Sequence, residues 1–270
     1  LIDAREAIRK VARAAHAPRD IAGLASFRVL FGLLVAAASA RFLWYGWVDL
    51  FFTTPAYHFP FWGFEWVVEP SRAILVAAFV TMTGLGLMIA AGLLYRLAAL
   101  AFFLIFTYIE LIDVTYYLNH YYLVSLLALL LACLPLNRAC SLDARLWPAI
   151  KAATLPAWMT WLLRAQVAAV YLNAGLAKAG SDWLLHAQPL NIWLCSRTET
   201  PIIGPLLSSW HVALLMSWSG FLFDTTIVAF LLWRRSRPLA YLVALVFHFF
   251  TSVFFNIGMF PVIMVVCATI

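Results

Sequence analysis

Long runs almost free of charge constrain this chain more than any other feature. From Ser71 to Leu94 the single charged residue is Arg72. A helix that crosses a bilayer takes about 20 consecutive apolar residues, and several stretches here meet that length. Of 270 residues, 65% are hydrophobic and 11% charged, with a mean hydropathy of +0.93. An average soluble domain is roughly 45–50% apolar and about 25% charged. The composition excludes an ordinary water-soluble globule, and equally a disordered, collagen-like or disulfide-scaffold chain. A transmembrane β-barrel would show short alternating segments instead of long runs. The expected fold is all-α, a polytopic integral membrane protein of about eight transmembrane helices with an N-terminal interfacial amphipathic helix.

Residues 1–20 mix Arg5, Arg9, Lys10, Arg13 and Arg19 with alanines. They are too charged to span and read as a basic amphipathic segment lying at the interface. Asp20 is a candidate N-cap for the first span. Spans are expected over 21–44, 71–94, 97–117, 119–136, 157–179, 210–233 and 239–256. An eighth begins after Pro261, where too few residues remain to cross, so the last span is expected to be incomplete. The aromatic segment 45–70, with Pro55, Pro60 and Pro70, suits a re-entrant or surface-lying course. Residues 180–209 form a second long loop. One transmembrane domain is thus expected over 21–270.

The net charge of +6 fits topology better than nucleic-acid binding. Basic residues stay on the cytoplasmic side of membrane proteins. With the N-terminus inside, twelve Lys and Arg fall in inner segments, and only Arg41, Arg72 and Arg197 fall at outer ends. Cys133, Cys140, Cys195 and Cys267 have no metal-like spacing and read as apolar fillers. No histidine pair has a ligand spacing, so no metal site is expected. No phosphate loop, dinucleotide fingerprint or nucleophile elbow is present.

Several ionisable residues fall inside the expected spans, where each costs about 2.5–3.5 kcal/mol on the mildest scale. Arg164, Tyr171 and Lys178 are spaced by seven, two helical turns, and so share a face. Glu110, Asp113, Tyr117 and, if the helix continues, His120 form a second stripe. Tyr241, His248 and Ser252 form a third, with Asn256 one turn further. Lys178 also admits a bland reading as a lysine snorkelling from a helix end. Arg28 and Arg164 lie near inner ends and read as structural charges, paired with Asp224 or with carbonyls. His58, His186 and His211 sit in or beside outer loops and read as bystanders. Periodicity supports a buried polar site and chooses no reaction.

The strings FRVLFGLL at 27–34, YLNHYYLVSLLAL at 117–129, LRAQVAAVYLNAGLAKAGSDW at 163–183 and HFFTSVFFNIGMF at 248–260 follow one another in a recognisable order. Together they resemble the membrane part of the vitamin K-dependent gamma-glutamyl carboxylase family and its bacterial relatives with an HTTM domain. The resemblance runs from about residue 20 to the end. It implies an enzyme that oxidises a reduced naphthoquinone (vitamin K or menaquinol) with O₂, with CO₂ as a further co-substrate where carboxylation follows. It implies Lys178 as the base and His120 as its support. Asp113, Asn119, Tyr171, His248 and Asn256 are then expected to support catalysis or to bind the quinol. An apolar pocket disfavours an ammonium ion, which leaves the amine free to take a proton from a quinol hydroxyl. The family commonly carries two adjacent lysines here, whereas the first position is Ala177. The carboxylase's large lumenal domain has no counterpart, so quinol oxidation is the more direct expectation than peptide carboxylation.

Two functions follow. One is a membrane quinol-dependent oxygenase or epoxidase. The other is a non-enzymatic membrane subunit that uses the fold to bind a partner protein, a lipid or a quinone. Expected partners are the lipid bilayer, a quinone, and a partner membrane protein or peptide substrate; nucleic acid is not among them. The expected location is the bacterial cytoplasmic membrane, with the N-terminus cytoplasmic and the site toward the outer side.

Overall fold

The computed structural model describes residues 4–270, with side chains from Glu6 onward. The first residues of the expected basic segment, 1–3, lie outside the described residues. The chain is all-α apart from one short pair of strands, and it divides into two compact units after Leu163.

In the first unit, α1 (Ala4–His16) is followed by β1 (Pro18–Asp20), and α2 spans Ala22–Trp44. Asp20 Oδ1 accepts the Ala22 N–H at 2.7 Å, so it does receive a backbone donor at the start of α2. A π-helical turn at Asp49–Thr53 opens the aromatic segment, which then runs without regular structure to α3 (Arg72–Ala91). α4 (Tyr95–Glu110), a 3₁₀ turn at Val114–Tyr116, α5 (Asn119–Cys133), α6 (Leu142–Leu146) and β2 (Thr154–Pro156) follow. β1 pairs antiparallel with β2, Arg19 opposite Leu155. β2 leads directly into α7 (Ala157–Ala177), inside which the unit boundary falls.

α2 and α3 pack with their backbones in contact. A Cβ added to Gly86 would come 2.7 Å from the Ala36 nitrogen, and one on Gly32 would strike the Ala90 backbone. Small residues permit this approach, as they do between membrane helices generally. α3 stops because Gly92 takes a left-handed conformation (φ 66°), with its N–H bonded to the Ile89 carbonyl and that of Leu93 to Met88. The last carbonyls of α3 are buried and need donors. Fully buried Arg28 supplies them: Nη1 donates to the Ile89 and Ala90 carbonyls, each at 2.6 Å, and Nη2 to the Cys140 carbonyl at 2.5 Å. The opposite need, at the start of α4, is met by Asp143, which accepts the Leu94 and Tyr95 N–H groups at 2.7 and 3.1 Å. Arg28 thus meets carbonyl oxygens, one of the two kinds of partner expected for it.

In the second unit α8 (Ser181–Leu184), α9 (Leu190–Cys195) and α10 (Gly204–Leu207) lie within the expected loop 180–209. α11 (Trp210–Leu232), α12 (Arg237–Phe254) and α13 (Phe260–Cys267) complete it. Ala187, Leu190, Leu194, Leu207, Ala213 and Phe254 form a buried cluster under the short helices.

Among the described residues four helices, α2, α3, α11 and α12, are long and apolar enough to cross a membrane, and α5 is a shorter apolar helix. The count of eight crossings is larger than the number that meets this standard. The third expected span is also too long at 97–117. α4 ends at Glu110, because Asp113 is extended (φ −145°) and its carboxylate accepts the Thr115 N–H and hydroxyl. This local side-chain bond competes with helix continuation. Glu110, Asp113 and Tyr117 therefore do not share one helical face.

Candidate functional site

The second unit gathers a polar cluster inside its apolar helices. α7 approaches α11 at Gly175, where a Cβ would stand 2.7 Å from Thr225 Cγ2 and 3.3 Å from the Thr225 nitrogen. Three residues on, just past the end of α7, Lys178 turns to α11. Its Nζ donates to Asp224 Oδ2 at 2.7 Å and to the Ala174 carbonyl at 3.2 Å. The Trp183 ring lies under the ammonium, 5.2 Å from Nζ to ring centroid, a cation–π distance. Trp183 is fixed in turn, its Nε1 donating to the Ser217 carbonyl at 2.8 Å and its own carbonyl accepting from the Ser217 hydroxyl. Gly220 lies beside both, and a Cβ there would make ordinary contact with Trp183 at 3.8 Å and Lys178 at 4.0 Å.

Two turns earlier on the same face of α7, Tyr171 is 2% exposed. Its hydroxyl is 3.1 Å from His248 Nε2, and His248, on α12, is also 2% exposed. Asp224 lies within electrostatic reach of Tyr171. Rings close around His248: Phe223, Phe247 and Phe260 all stand within 6 Å, and Phe223 stacks on Phe247 at 3.8 Å. His248 Nδ1 is buried with no hydrogen-bond partner among the described residues. The seven-residue spacing thus brings Tyr171 and Lys178 to one polar cluster with Asp224 and His248. Arg164, one more heptad back, is half-buried. Asn256 does not join the face of α12. It lies past the helix end, after the extended Phe255, and its Oδ1 accepts from Arg197 Nη2 at 2.9 Å.

Asp113, Asn119 and His120 belong to the first unit. His120, in the first turn of α5, is 6% exposed and meets Tyr121 edge-on at 4.6 Å, whereas Asn119 is exposed. Arg41, at the end of α2, lies within electrostatic reach of His120 and Tyr121, and Glu110 of Tyr121. Asp113 is buried, but its carboxylate is committed to Thr115 and to His58, whose Nδ1 donates to Oδ2 at 3.0 Å. His58 Nε2 faces the Phe52 carbonyl at 2.8 Å and Glu69 Oε2 at 3.2 Å. Both ring nitrogens face acceptors alone, the pattern that an imidazolium satisfies. Burial alone would lower the His58 pKa, but the Asp113 hydrogen bond, the Phe52 carbonyl and Glu69 together raise it. Burial would likewise raise that of Asp113, but the Thr115 and His58 hydrogen bonds hold it below the ordinary carboxylate range. His58 is thus a pinned strut and not a bystander.

Cys267 is buried within reach of Tyr171, whereas Cys133, Cys140 and Cys195 are exposed; all four are free thiols. Among the described residues no group of three or more His, Cys, Asp or Glu could hold a metal ion.

No solved structure matches the chain. The family model of the HTTM domain matches residues 16–270. That match takes in both units and nearly the whole sequence, and the chain belongs to the HTTM family, the family found in vitamin K-dependent gamma-carboxylase.

Proposed function

We propose that this membrane protein oxidises a reduced naphthoquinone with O₂, and that Lys178 is the base. The observation that carries the proposal is the Lys178–Asp224 pair, 2.7 Å apart, held among apolar helices beside the Trp183 ring. A structural scaffold has no need to bury a charged pair, whose desolvation cost commonly exceeds its attraction. Flat aromatic faces next to an amine also suit an aromatic diol. The bound quinol would supply an acidic hydroxyl and the electrons for O₂, the overall change being quinol plus O₂ to quinone epoxide plus water.

The residues have definable tasks. To act as the base, Lys178 Nζ must present a lone pair, and Asp224 Oδ2, 2.7 Å away, is the acceptor placed to hold the proton it gives up. Nζ then takes the hydroxyl proton and becomes an ammonium beside Asp224. Trp183 steadies that cation through its ring face. Tyr171 and His248 hold a second polar contact within electrostatic reach of Asp224. His120 is read as supporting the same chemistry, on the strength of the family resemblance alone. The topology proposed with this reading has the N-terminus cytoplasmic and crossings by α4, α5 and α7 in addition to the four longer helices. Its setting is a bacterial cytoplasmic membrane, with the site toward the outer side.

The test is conversion of reduced menaquinone or vitamin K to its epoxide by the purified protein under air. Lys178→Ala is expected to lose about 10²–10⁴-fold in rate, the usual worth of a general base. Lys178→Arg is expected not to restore it, since arginine keeps its proton. A more acidic quinol should shrink the loss. Equal turnover of wild type and Lys178→Ala rejects the role of Lys178. A wild-type protein without turnover rejects the enzyme and favours a non-enzymatic membrane subunit.

A further inference from the structure

Every residue of α1 from Glu6 to His16 is exposed except the half-buried Ala15, so among the described residues nothing covers the helix. Its two sides nevertheless differ. At 100° per residue, Ile8, Val11, Ala7 and Ala15 fall on one side, and Glu6, Arg9, Lys10 and Arg13 on the other. Ile8 is 68% and Val11 69% exposed. The sequence of α1 carries four basic residues (Arg5, Arg9, Lys10, Arg13) against one acidic residue, Glu6, which is bound to Lys10 at 3.1 Å. Only residues 17–21 separate α1 from α2, a reach of at most about 20 Å. The β1–β2 ladder holds this connection to the chain just ahead of α7. A helix that is apolar on one side, basic on the other and tied to the mouth of a spanning helix has the makings of a surface-lying helix.

We infer that α1 lies along the bilayer surface and docks on anionic phospholipid, its Ile8–Val11 side immersed among acyl chains and Arg9, Lys10 and Arg13 bound to headgroup phosphates. Charge complementarity selects the occupant. An apolar side alone would accept any lipid or protein, but the flanking cations prefer a negative leaflet. The same geometry makes α1 releasable by salt, because the screening length falls from about 10 Å at 0.1 M to about 3 Å at 1 M. The inference is independent of the chemistry proposed for Lys178.

The test uses the full chain with a spin label on Val11→Cys, in a background where the exposed Cys133, Cys140 and Cys195 are serine. The protein is reconstituted into phosphatidylcholine alone and into equimolar phosphatidylcholine and phosphatidylglycerol. In the anionic bilayer the label is expected to be accessible to dissolved O₂ and protected from a water-soluble nickel reagent. In the neutral bilayer, or at high salt, it should become open to nickel. Arg9→Gln with Arg13→Gln should weaken the anionic protection about fivefold per lost charge. Equal nickel access in both bilayers overturns the inference. Equal immersion in both overturns the role of charge, and protection from both reagents assigns the surface to a protein partner instead.

Discussion

Lys178 Nζ and Asp224 Oδ2 stand 2.7 Å apart although 46 positions separate them in the chain. Asp224 is the fifteenth residue of α11, about 21 Å along the helix from its start at 1.5 Å per residue. Lys178 therefore does not reach back to the mouth of α11, as a snorkelling lysine would. It turns inward to a carboxylate that is itself 6% exposed. The pair also gives Asp224 a lysine partner, where the sequence offered it as one of two kinds of partner for Arg28 and Arg164.

Breaking this pair from either side should cost stability as well as activity. Lys178→Ala leaves a buried carboxylate with no cation, and Asp224→Asn leaves the ammonium with a neutral neighbour. Unpairing a fully buried ion pair costs about 3–5 kcal/mol. Lys178 is about one-fifth exposed, so roughly 1–3 kcal/mol is expected here. The double variant Lys178→Met, Asp224→Leu should recover most of that stability and none of the turnover. Thermal unfolding in detergent, read beside epoxide formation, checks this. A double variant as unstable as either single one would mean that the pair is not the source of the cost.

Gly175 sets the distance between the partners. Its missing Cβ lets α7 and α11 approach closely, since a Cβ there would stand 2.7 Å from Thr225 Cγ2. Gly175→Ala should push the helices apart, cost about 1–3 kcal/mol as an overpacked contact, and reduce turnover through misplacement of Lys178. Gly84→Ala in α3 is the control, because nothing lies within 4 Å of its added Cβ. That substitution should stabilise its helix by about 0.5–1 kcal/mol. Equal behaviour of the two variants would remove the close approach from the explanation.

The His58 strut predicts a pH dependence. The pKa of His58 is raised on folding, so its contribution is complete below the ordinary histidine value of about 6.5 and fades as pH climbs through the higher folded value. The pKa of Asp113 is lowered, so its contribution is complete above about 3.9 and fades as pH falls through the lower folded value. The strut should hold best between about pH 4 and about pH 6.5. The difference in melting temperature between wild type and His58→Gln should shrink as pH rises above that window. Parallel curves from pH 6 to pH 9 would exclude a protonated His58.

Much of this was legible in the sequence, and the failures have local causes. The apolar runs located the long helices to within a few residues, because length and hydropathy act along one helix at a time. The heptad spacing of Tyr171 and Lys178 gave their shared face for the same reason. It could not give Asp224 as the partner, since a face says nothing of which residue on another helix meets it. Gly175 was the available hint, as small residues mark close approach. The end of α4 was readable from Asp113-Val-Thr115, a local side-chain turn that overrides helix periodicity. His58 was missed because its partners Phe52, Glu69 and Asp113 lie outside the long helices, where no period connects them.

Tyr171 and His248 supply the most selective test of how the cluster works. Tyr171→Phe keeps the ring, and with it the edge contact to Phe223 at 5.8 Å, but removes the oxygen 3.1 Å from His248 Nε2. His248 Nδ1 already lacks a partner among the described residues, so the variant would leave both nitrogens of a buried ring unsatisfied. A loss of about 1–3 kcal/mol follows from one more buried polar group without a bond. His248→Phe, which removes the polar group together with its need, should recover stability in the Tyr171→Phe background, since replacing both partners by apolar groups can be nearly neutral. Activity separates structure from chemistry. If the hydroxyl only braces the helices, the double variant regains turnover along with stability. If Tyr171 and His248 steady the protonation of Asp224, turnover stays low in the double variant, and the pH–rate profile shifts in each single one. Full activity in Tyr171→Phe would reduce the polar cluster to Lys178 and Asp224.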